Sequence, residues 1–165
     1  MKRYIANVAL LGVIGLDALF AAGSAISALT AVPAFAIDNI QSTNAPDLTQ
    51  ARAKIAAGDY QGARDELRGL AENTQQADVY NLLGFTLRKT GDYRTSLTYY
   101  TKALELAPDH KAAREYLGEL YVETGEMAKA NEQLTRLTTL CPNGCEERDD
   151  LAKAIAAKIA QTAGN

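Results

Sequence analysis

A short motif recurs along the chain at an almost constant interval. Gly58-Asp59-Tyr60 returns 33 residues later as Gly91-Asp92-Tyr93, and Gly125-Glu126-Met127 follows after another 34 residues. A small side chain stands five residues after each glycine, at Ala63, Ser96 and Ala130. A fixed period of this length indicates a chain built of stacked, similar units, each of which needs its neighbours to bury its apolar side.

Each period contains two predicted helices. In the second period, Gly91 can adopt the left-handed conformation that ends the first helix, and Pro108 cannot continue the second helix. The spacing of three or four residues between apolar positions predicts amphipathic helices. The apolar positions of this period are Tyr80, Leu83, Leu87, Leu97, Tyr100 and Leu104.

These positions together resemble the tetratricopeptide repeat (TPR) family. In residues 77–110, Tyr80 stands at the first aromatic position of the family, and Leu83-Gly84 stands at its Leu-Gly pair. Residues 111–144 repeat the pattern with Leu117-Gly118 and Pro142, whereas residues 44–76 match it more weakly. The resemblance implies an all-α solenoid of about three helix pairs within a domain that spans residues 47–163.

A further helix is predicted after the third pair, over residues 145–162. Leu151, Ile155 and Ile159 form one narrow apolar stripe, and the other positions are mostly charged residues or alanine. A helix that is apolar on one side only, at the end of a stack, is typical of a capping helix.

The first 36 residues have the pattern of a secretory signal peptide. Met1-Lys2-Arg3 is basic, an apolar stretch follows, and Ala34 and Ala36 form a small-x-small cleavage site. We therefore expect cleavage between Ala36 and Ile37, export to a bacterial periplasm, and a flexible linker over residues 37–46. The alternative is an inner-membrane anchor formed by residues 5–32, although Asp17 would cost about 2.5–3.5 kcal/mol at a bilayer centre.

The charge of the chain excludes some classes of partner. The whole sequence carries a formal net charge of −3, and removal of residues 1–36 leaves 15 basic and 19 acidic residues. A mildly acidic protein has no electrostatic attraction to nucleic acid or to anionic lipid. We therefore expect neither nucleic acid nor, after signal cleavage, a membrane as partner.

Two cysteines flank a turn sequence between the third helix pair and the capping helix. Pro142-Asn143-Gly144 favours a turn that brings Cys141 and Cys145 together. In an exported protein such a pair is expected to form a disulfide. A soft-metal site or a redox-active pair is the alternative, but further thiol or imidazole ligands are missing from the sequence nearby.

The sequence contains no motif typical of catalysis. Nucleophile-elbow, phosphate-loop and metalloprotease patterns are all missing from it. His110, the single histidine, is interpreted as a polar residue at a helix start. We therefore predict no enzymatic activity, no cofactor and no bound metal.

The resemblance also implies where a partner would bind, because the first helix of each TPR pair lines a groove. Its basic end and its acidic end would orient a polypeptide segment of another envelope protein, and the alternative is that these charges only confer solubility. Leu48, Leu82, Ala112 and Tyr116 occupy places where some TPR proteins carry a clamp for chaperone tails, so that kind of partner is not expected. The expected groove residues are Arg52, Asn81, Phe85, Arg88, Lys89, Glu115, Glu119, Val122 and Glu123.

The leading interpretation is therefore a periplasmic adaptor or scaffold that binds a polypeptide segment. Two other functions remain open at this point. One is an assembly factor that uses the thiols of Cys141 and Cys145, for example to deliver a metal. The other is a membrane-tethered subunit of an envelope complex, which would retain residues 5–32.

Overall fold

The structure is a computed structural model, and it describes residues 45–164. This part of the chain folds into seven α-helices and contains no β-strand, which confirms the all-α prediction. The expected signal peptide, its expected cleavage site between Ala36 and Ile37, and most of the expected linker lie outside the described residues. The helices are α1 (Thr49–Ala56), α2 (Tyr60–Ala71), α3 (Ala77–Lys89), α4 (Tyr93–Leu106), α5 (Lys111–Thr124), α6 (Met127–Leu140) and α7 (Glu146–Ala163).

The recurring glycine motif forms the turn inside each helix pair. Gly58, Gly91 and Gly125 all have positive φ, between 78° and 85°, which glycine adopts without steric cost. The aspartate that follows the first two glycines caps the next helix: its carboxylate accepts a hydrogen bond from a backbone N–H three residues on, at 2.9 Å for Asp59 and 3.2 Å for Asp92. The period seen in the sequence is therefore a repeated helix–turn–helix geometry.

A small residue allows the two helices of the second pair to approach closely. Gly84 of α3 lies against the ring of Tyr100 in α4, and a Cβ atom at position 84 would stand 2.6 Å from Cδ1 of that ring. Ser96 adds a buried link between the same helices, because its hydroxyl donates a 2.6 Å hydrogen bond to the carbonyl oxygen of Gly84. Tyr100 is fully buried at this contact.

The apolar core runs along the whole stack of helices. Each stretch of core is shared by neighbouring pairs, so that no pair buries its apolar side alone. The buried residues fall into four contiguous clusters: Ala51, Leu67, Val79, Leu82 and Leu83; Tyr80, Ala103 and Ala113; Tyr100, Leu117 and Leu120; and Val122, Ala130, Leu137, Leu151 and Ile155.

Helix α7 closes the stack by packing on α5 and α6. Leu151 is fully buried, and it faces Gly118 of α5 so closely that a Cβ atom there would overlap its side chain. Ile155 is also buried, but Ile159 is 55% exposed, so the apolar contact is shorter than the predicted stripe. Helix α7 has 18 residues whereas α5 and α6 have 14 each, which leaves its last turns beyond the contact.

Within residues 45–164, every helix is too short or too polar to cross a bilayer.

Candidate functional site

The first helices of the three pairs lie next to one another and share an open face, which α7 extends. We call this face the groove. Two cavities mark it: one is lined by residues of α1, α3 and α5, and the other is lined by residues of α5 and α7. Tyr116 of α5 lines both cavities, which makes them neighbours along the groove.

The first cavity, of about 230 Å³, is mainly apolar. The ring of Phe85 lies 5.0 Å from the ring of Tyr116 and 6.2 Å from that of Tyr60, measured between centroids. Such a wall of aromatic and aliphatic side chains is typical of a site that takes an apolar group. The cavity is lined by Arg52, Ile55, Ala56, Leu82, Phe85 and Tyr116.

Arg52 and Phe85 are the two predicted groove residues at this cavity. Ile55 was not singled out from the sequence, and Leu82 and Tyr116 were noted only as residues that replace a charged clamp. Their apolar character at neighbouring groove positions is the signal that could have identified them.

The predicted groove charges pair with one another across the helices. Arg88 of α3 is 4% exposed, and its guanidinium donates hydrogen bonds to Glu119 (2.5 Å) and Glu123 (2.6 Å) of α5. The same group lies near two rings, with its central carbon 5.6 Å from the centroid of Phe85 and 5.9 Å from that of Tyr116. Although burial opposes it, the neighbouring Tyr100, Glu119 and Glu123 raise the pKa of Arg88, which stays charged.

This arrangement corrects the expected division into a basic end and an acidic end. At the α3–α5 contact the single positive charge of Arg88 pairs with the carboxylates of Glu119 and Glu123, because groove positions of adjacent pairs come within ion-pair distance. Lys89 remains exposed, with its ammonium 5.4 Å from the centroid of the Phe85 ring. Of the expected basic residues of α3, only Lys89 is accessible to a partner.

Two further predicted groove residues are buried instead. Val122 is 8% exposed and belongs to the core cluster with Leu137 and Leu151, because α7 covers its side of α5. Asn81 is 3% exposed, and its side-chain oxygen has no hydrogen-bond partner within residues 45–164. The structure therefore corrects the placement of Val122 and Asn81 on the accessible groove surface.

The second cavity, of about 270 Å³, is lined by carboxylates. Besides Ala112 and Tyr116, it is formed by Glu115 of α5 and by Glu146, Glu147 and Asp150 of α7. Only Glu115 was predicted as a groove residue. The other three lie in a helix that was interpreted as a cap, although the acidic run at residues 146–150 was visible in the sequence.

Glu115 is the most unusual of these carboxylates. It is 9% exposed, and within the described part of the chain it makes no hydrogen bond or ion pair through its side chain. Burial, and to a smaller extent the negative charges of Glu119, Asp150 and Glu147, raise the pKa of Glu115 to about 8. No cationic side chain within the described residues forms an ion pair with this carboxyl group.

The two cysteines lie together at the turn before α7. The Cα atoms of Cys141 and Cys145 are 5.8 Å apart, a distance that a disulfide spans, and the carboxylate of Glu147 lies within 4.8 Å of both sulfur atoms. His110 is not part of this group, because its ring bonds Asp78 at 3.0 Å and accepts a hydrogen bond from the backbone of Ala113. His110 thus caps the start of α5, as its interpretation as a helix-start residue implied.

Comparison with known proteins places the fold. Residues 75–143 match the family model described as tetratricopeptide repeat. The Yersinia enterocolitica type III secretion translocator chaperone SycD superposes with a TM-score of 0.61 at 16% identity, over 72% of this chain and 96% of that chain. MamA gives a TM-score of 0.56 at 19% identity, over 72% of this chain and 79% of that chain. At these identities the likeness is one of fold.

Curated relatives match over short stretches. The uncharacterized protein ycf37 of Guillardia theta is 33% identical over 63 residues, which are 38% of this chain and 35% of that protein. The probable biofilm formation methyltransferase WspC of Pseudomonas putida is 36% identical over 88 residues, which are 52% of this chain and 21% of that protein. This chain thus spans about a third and about a fifth of the lengths of these two relatives.

The family assignment rests on agreement between the repeat period, the turn geometry and the matched model. The glycine turns recur at the expected interval, and the matched residues 75–143 cover α3 to α6, which are the two strongest repeats of the sequence. Over residues 75–143 the chain has the sequence pattern and the helix-pair fold of tetratricopeptide repeats.

Proposed function

We propose that this protein is a non-enzymatic adaptor or scaffold that binds a segment of another polypeptide in its groove. The observation that carries the proposal is the apolar cavity to which three successive first helices contribute. Arg52 and Ala56 at its rim are exposed, so that a guest chain can reach the rings of Phe85 and Tyr116. An apolar cavity with a few polar groups at its edge is the usual form of a recognition site.

One protein of similar fold supports this assignment by analogy. A solved structure described as PcrH in complex with the chaperone binding region of PopD superposes with a TM-score of 0.58 at 18% identity, over 69% of this chain and 86% of that chain. We propose that the groove of this protein likewise accepts a segment of a partner. Which partner it accepts does not follow from the fold, because one fold hosts many functions.

The same proposal places the protein in the periplasm, with an envelope protein as partner. Its support is the signal-peptide pattern of residues 1–36 and the cysteine pair, which would form a disulfide in an oxidising compartment. N-terminal sequencing of the exported protein tests the location. A chain that begins at Ile37 agrees with the proposal, whereas a chain that still contains residues 5–32 supports a membrane tether instead.

The partial match to a methyltransferase does not change the proposal. The match covers 21% of that enzyme. The groove described above is lined by apolar side chains and carboxylates, which suit the binding of a polypeptide better than catalysis. We propose binding as the activity of this chain.

Site-specific photo-crosslinking in living cells tests groove binding. A benzophenone amino acid is placed at Ala56, an exposed residue at the rim of the cavity, and in a matched strain at Ala128, an equally exposed alanine of α6. We expect a discrete crosslinked polypeptide at position 56 that disappears when Phe85 is replaced by serine. Equal crosslinking at both positions, or none at position 56, would overturn the groove as the binding surface.

A further inference from the structure

We propose that the guest of this groove carries a lysine or arginine whose cationic group enters the carboxylate-lined cavity beside Glu115, next to an apolar side chain that fills the cavity at Phe85. This inference rests on the proposed function and names the chemistry of the segment that the groove selects.

Glu115 differs from its neighbours on α5 in having no ion-pair partner within the described residues. Two other glutamates of α5, Glu119 and Glu123, are satisfied by Arg88 at 2.5 and 2.6 Å. Glu115 is nine-tenths buried, lines the cavity, and has no such partner within residues 45–164. Because burial of the residue disfavours the ionised form of this carboxyl group, a guest ammonium or guanidinium that enters the cavity would pair with it and stabilise that form.

The cavity as a whole is negatively charged. Glu146 and Glu147 also form no ion pair within residues 45–164. Asp150 is paired with Lys153 at 2.7 Å, but the lysine side chain is 76% exposed, and Arg148 is engaged by Asp149 at 2.7 Å. The surrounding basic groups therefore leave the cavity with an excess of negative charge, to which a cationic guest is complementary.

The spacing of the carboxylates favours a cationic side chain over a metal ion. Within the described residues, the carboxylates of this cavity do not form a group of three with oxygen atoms all within 4.8 Å of one another; the only such group of potential ligands is Cys141, Cys145 and Glu147. A divalent cation needs several oxygen ligands converging at 2.0–2.6 Å. The wider spacing around this cavity suits a guanidinium or an ammonium group, which spreads its hydrogen bonds over several acceptors.

The two cavities share a wall. Tyr116 lines both, so one guest segment can place an apolar side chain in one cavity and a cationic side chain in the other. Side chains two apart in an extended segment, or three or four apart in a helix, reach such neighbouring positions. The acidic cavity, at about 270 Å³, has room for a side chain and is below the usual size of a site for a drug-sized molecule.

A random peptide library selected against the protein tests the inference. The protein is purified from cells that express the full chain, and the same library is selected against the Glu115→Gln/Glu147→Gln variant. We expect wild-type selections to enrich peptides with lysine or arginine near an apolar residue, and this basic preference to fall at least tenfold with the variant. A control variant, Glu132→Gln on α6, keeps the preference, because Glu132 lies outside both groove cavities.

The outcomes separate the inference from the proposed function. Enrichment of apolar peptides without a basic residue overturns the inference and leaves groove binding intact. If neither selection enriches any peptide whose binding depends on Phe85, both fail. Calorimetric titration with calcium chloride is the third measurement: stoichiometric uptake that the double variant abolishes would reassign the cavity to a metal ion.

Discussion

Arg88 of α3 donates a 2.6 Å hydrogen bond to Glu123 of α5, a residue 35 positions further along the chain. Together with the 2.5 Å bond to Glu119, this contact joins the second and third helix pairs. From the sequence, the same charged side chains were expected to face a partner. Charge reversal at Arg88 would thus disturb the fold as well as the groove, and Lys89 is the residue whose reversal reports on binding alone.

We expect Arg88→Met to destabilise the protein by about 2–4 kcal/mol, because it leaves the carboxylates of Glu119 and Glu123 without their positive partner. The free energy of unfolding in urea, followed by circular dichroism, measures the loss. The matched control is Arg64→Met, whose partner Asp65 lies 3.4 Å away and is exposed, and which should cost less than about 1 kcal/mol. Equal effects of the two substitutions would show that the Arg88 pair does not stabilise the stack.

We expect Gly84→Ala to destabilise the second helix pair by about 1–3 kcal/mol, because the new methyl group overlaps the buried ring of Tyr100. Gly69→Ala is the control, since Gly69 is an exposed residue of α2 with open space around it. That substitution should be neutral or stabilise the helix by up to about 1 kcal/mol. Thermal unfolding of the two variants gives the comparison, and a stable Gly84→Ala protein would contradict the close approach of α3 and α4.

The contribution of Glu115 to the stability of the protein should fall as the pH rises from about 4.5 to about 8. Burial and the nearby charges of Glu119, Asp150 and Glu147 outweigh Arg88 and raise the pKa of Glu115 to about 8. The folded state therefore keeps its proton on Glu115 at pH values where the unfolded chain has lost it, so the stabilisation is complete below about pH 4.5 and is lost by about pH 8.

The Glu115→Gln variant tests this assignment. We expect the wild type to lose stability by on the order of 2 kcal/mol across this pH range through Glu115, and the variant to lack that part of the decline. Urea unfolding at several pH values measures both proteins, with the exposed Glu132→Gln as control. Parallel pH profiles of the wild type and Glu115→Gln would mean that Glu115 ionises normally.

The cysteine pair should contribute to stability by closing a small loop. If Cys141 and Cys145 are joined, the loop-entropy model gives about 2 kcal/mol for a ring of this size. Alkylation of the denatured protein without and with reductant, followed by mass spectrometry, tests the bond directly. Two thiols that react before reduction would rule out the disulfide, whereas reactivity only after reduction would support it.

The repeat itself was predictable from local sequence. The glycine turns, the capping by Asp59 and Asp92, and the small residue at Gly84 each depend on residues a few positions apart or on a recurring period, and the structure shows all three. Helix formation and turns are governed by such short-range preferences. The sequence by itself therefore determined the fold class and the identity of the first helices that line the groove.

The accessible surface of the groove was decided only by the tertiary structure. Whether Arg88 faces a partner or Glu119, whether Val122 is covered by α7, and whether residues of α7 join Glu115 in one cavity all depend on how helices cross. These contacts join residues 29 to 35 positions apart, and helix crossing depends on side-chain packing along the whole stack rather than on any one repeat. For that reason the period predicts which helix a side chain is on, and packing between helices determines whether that side chain is buried, paired or exposed.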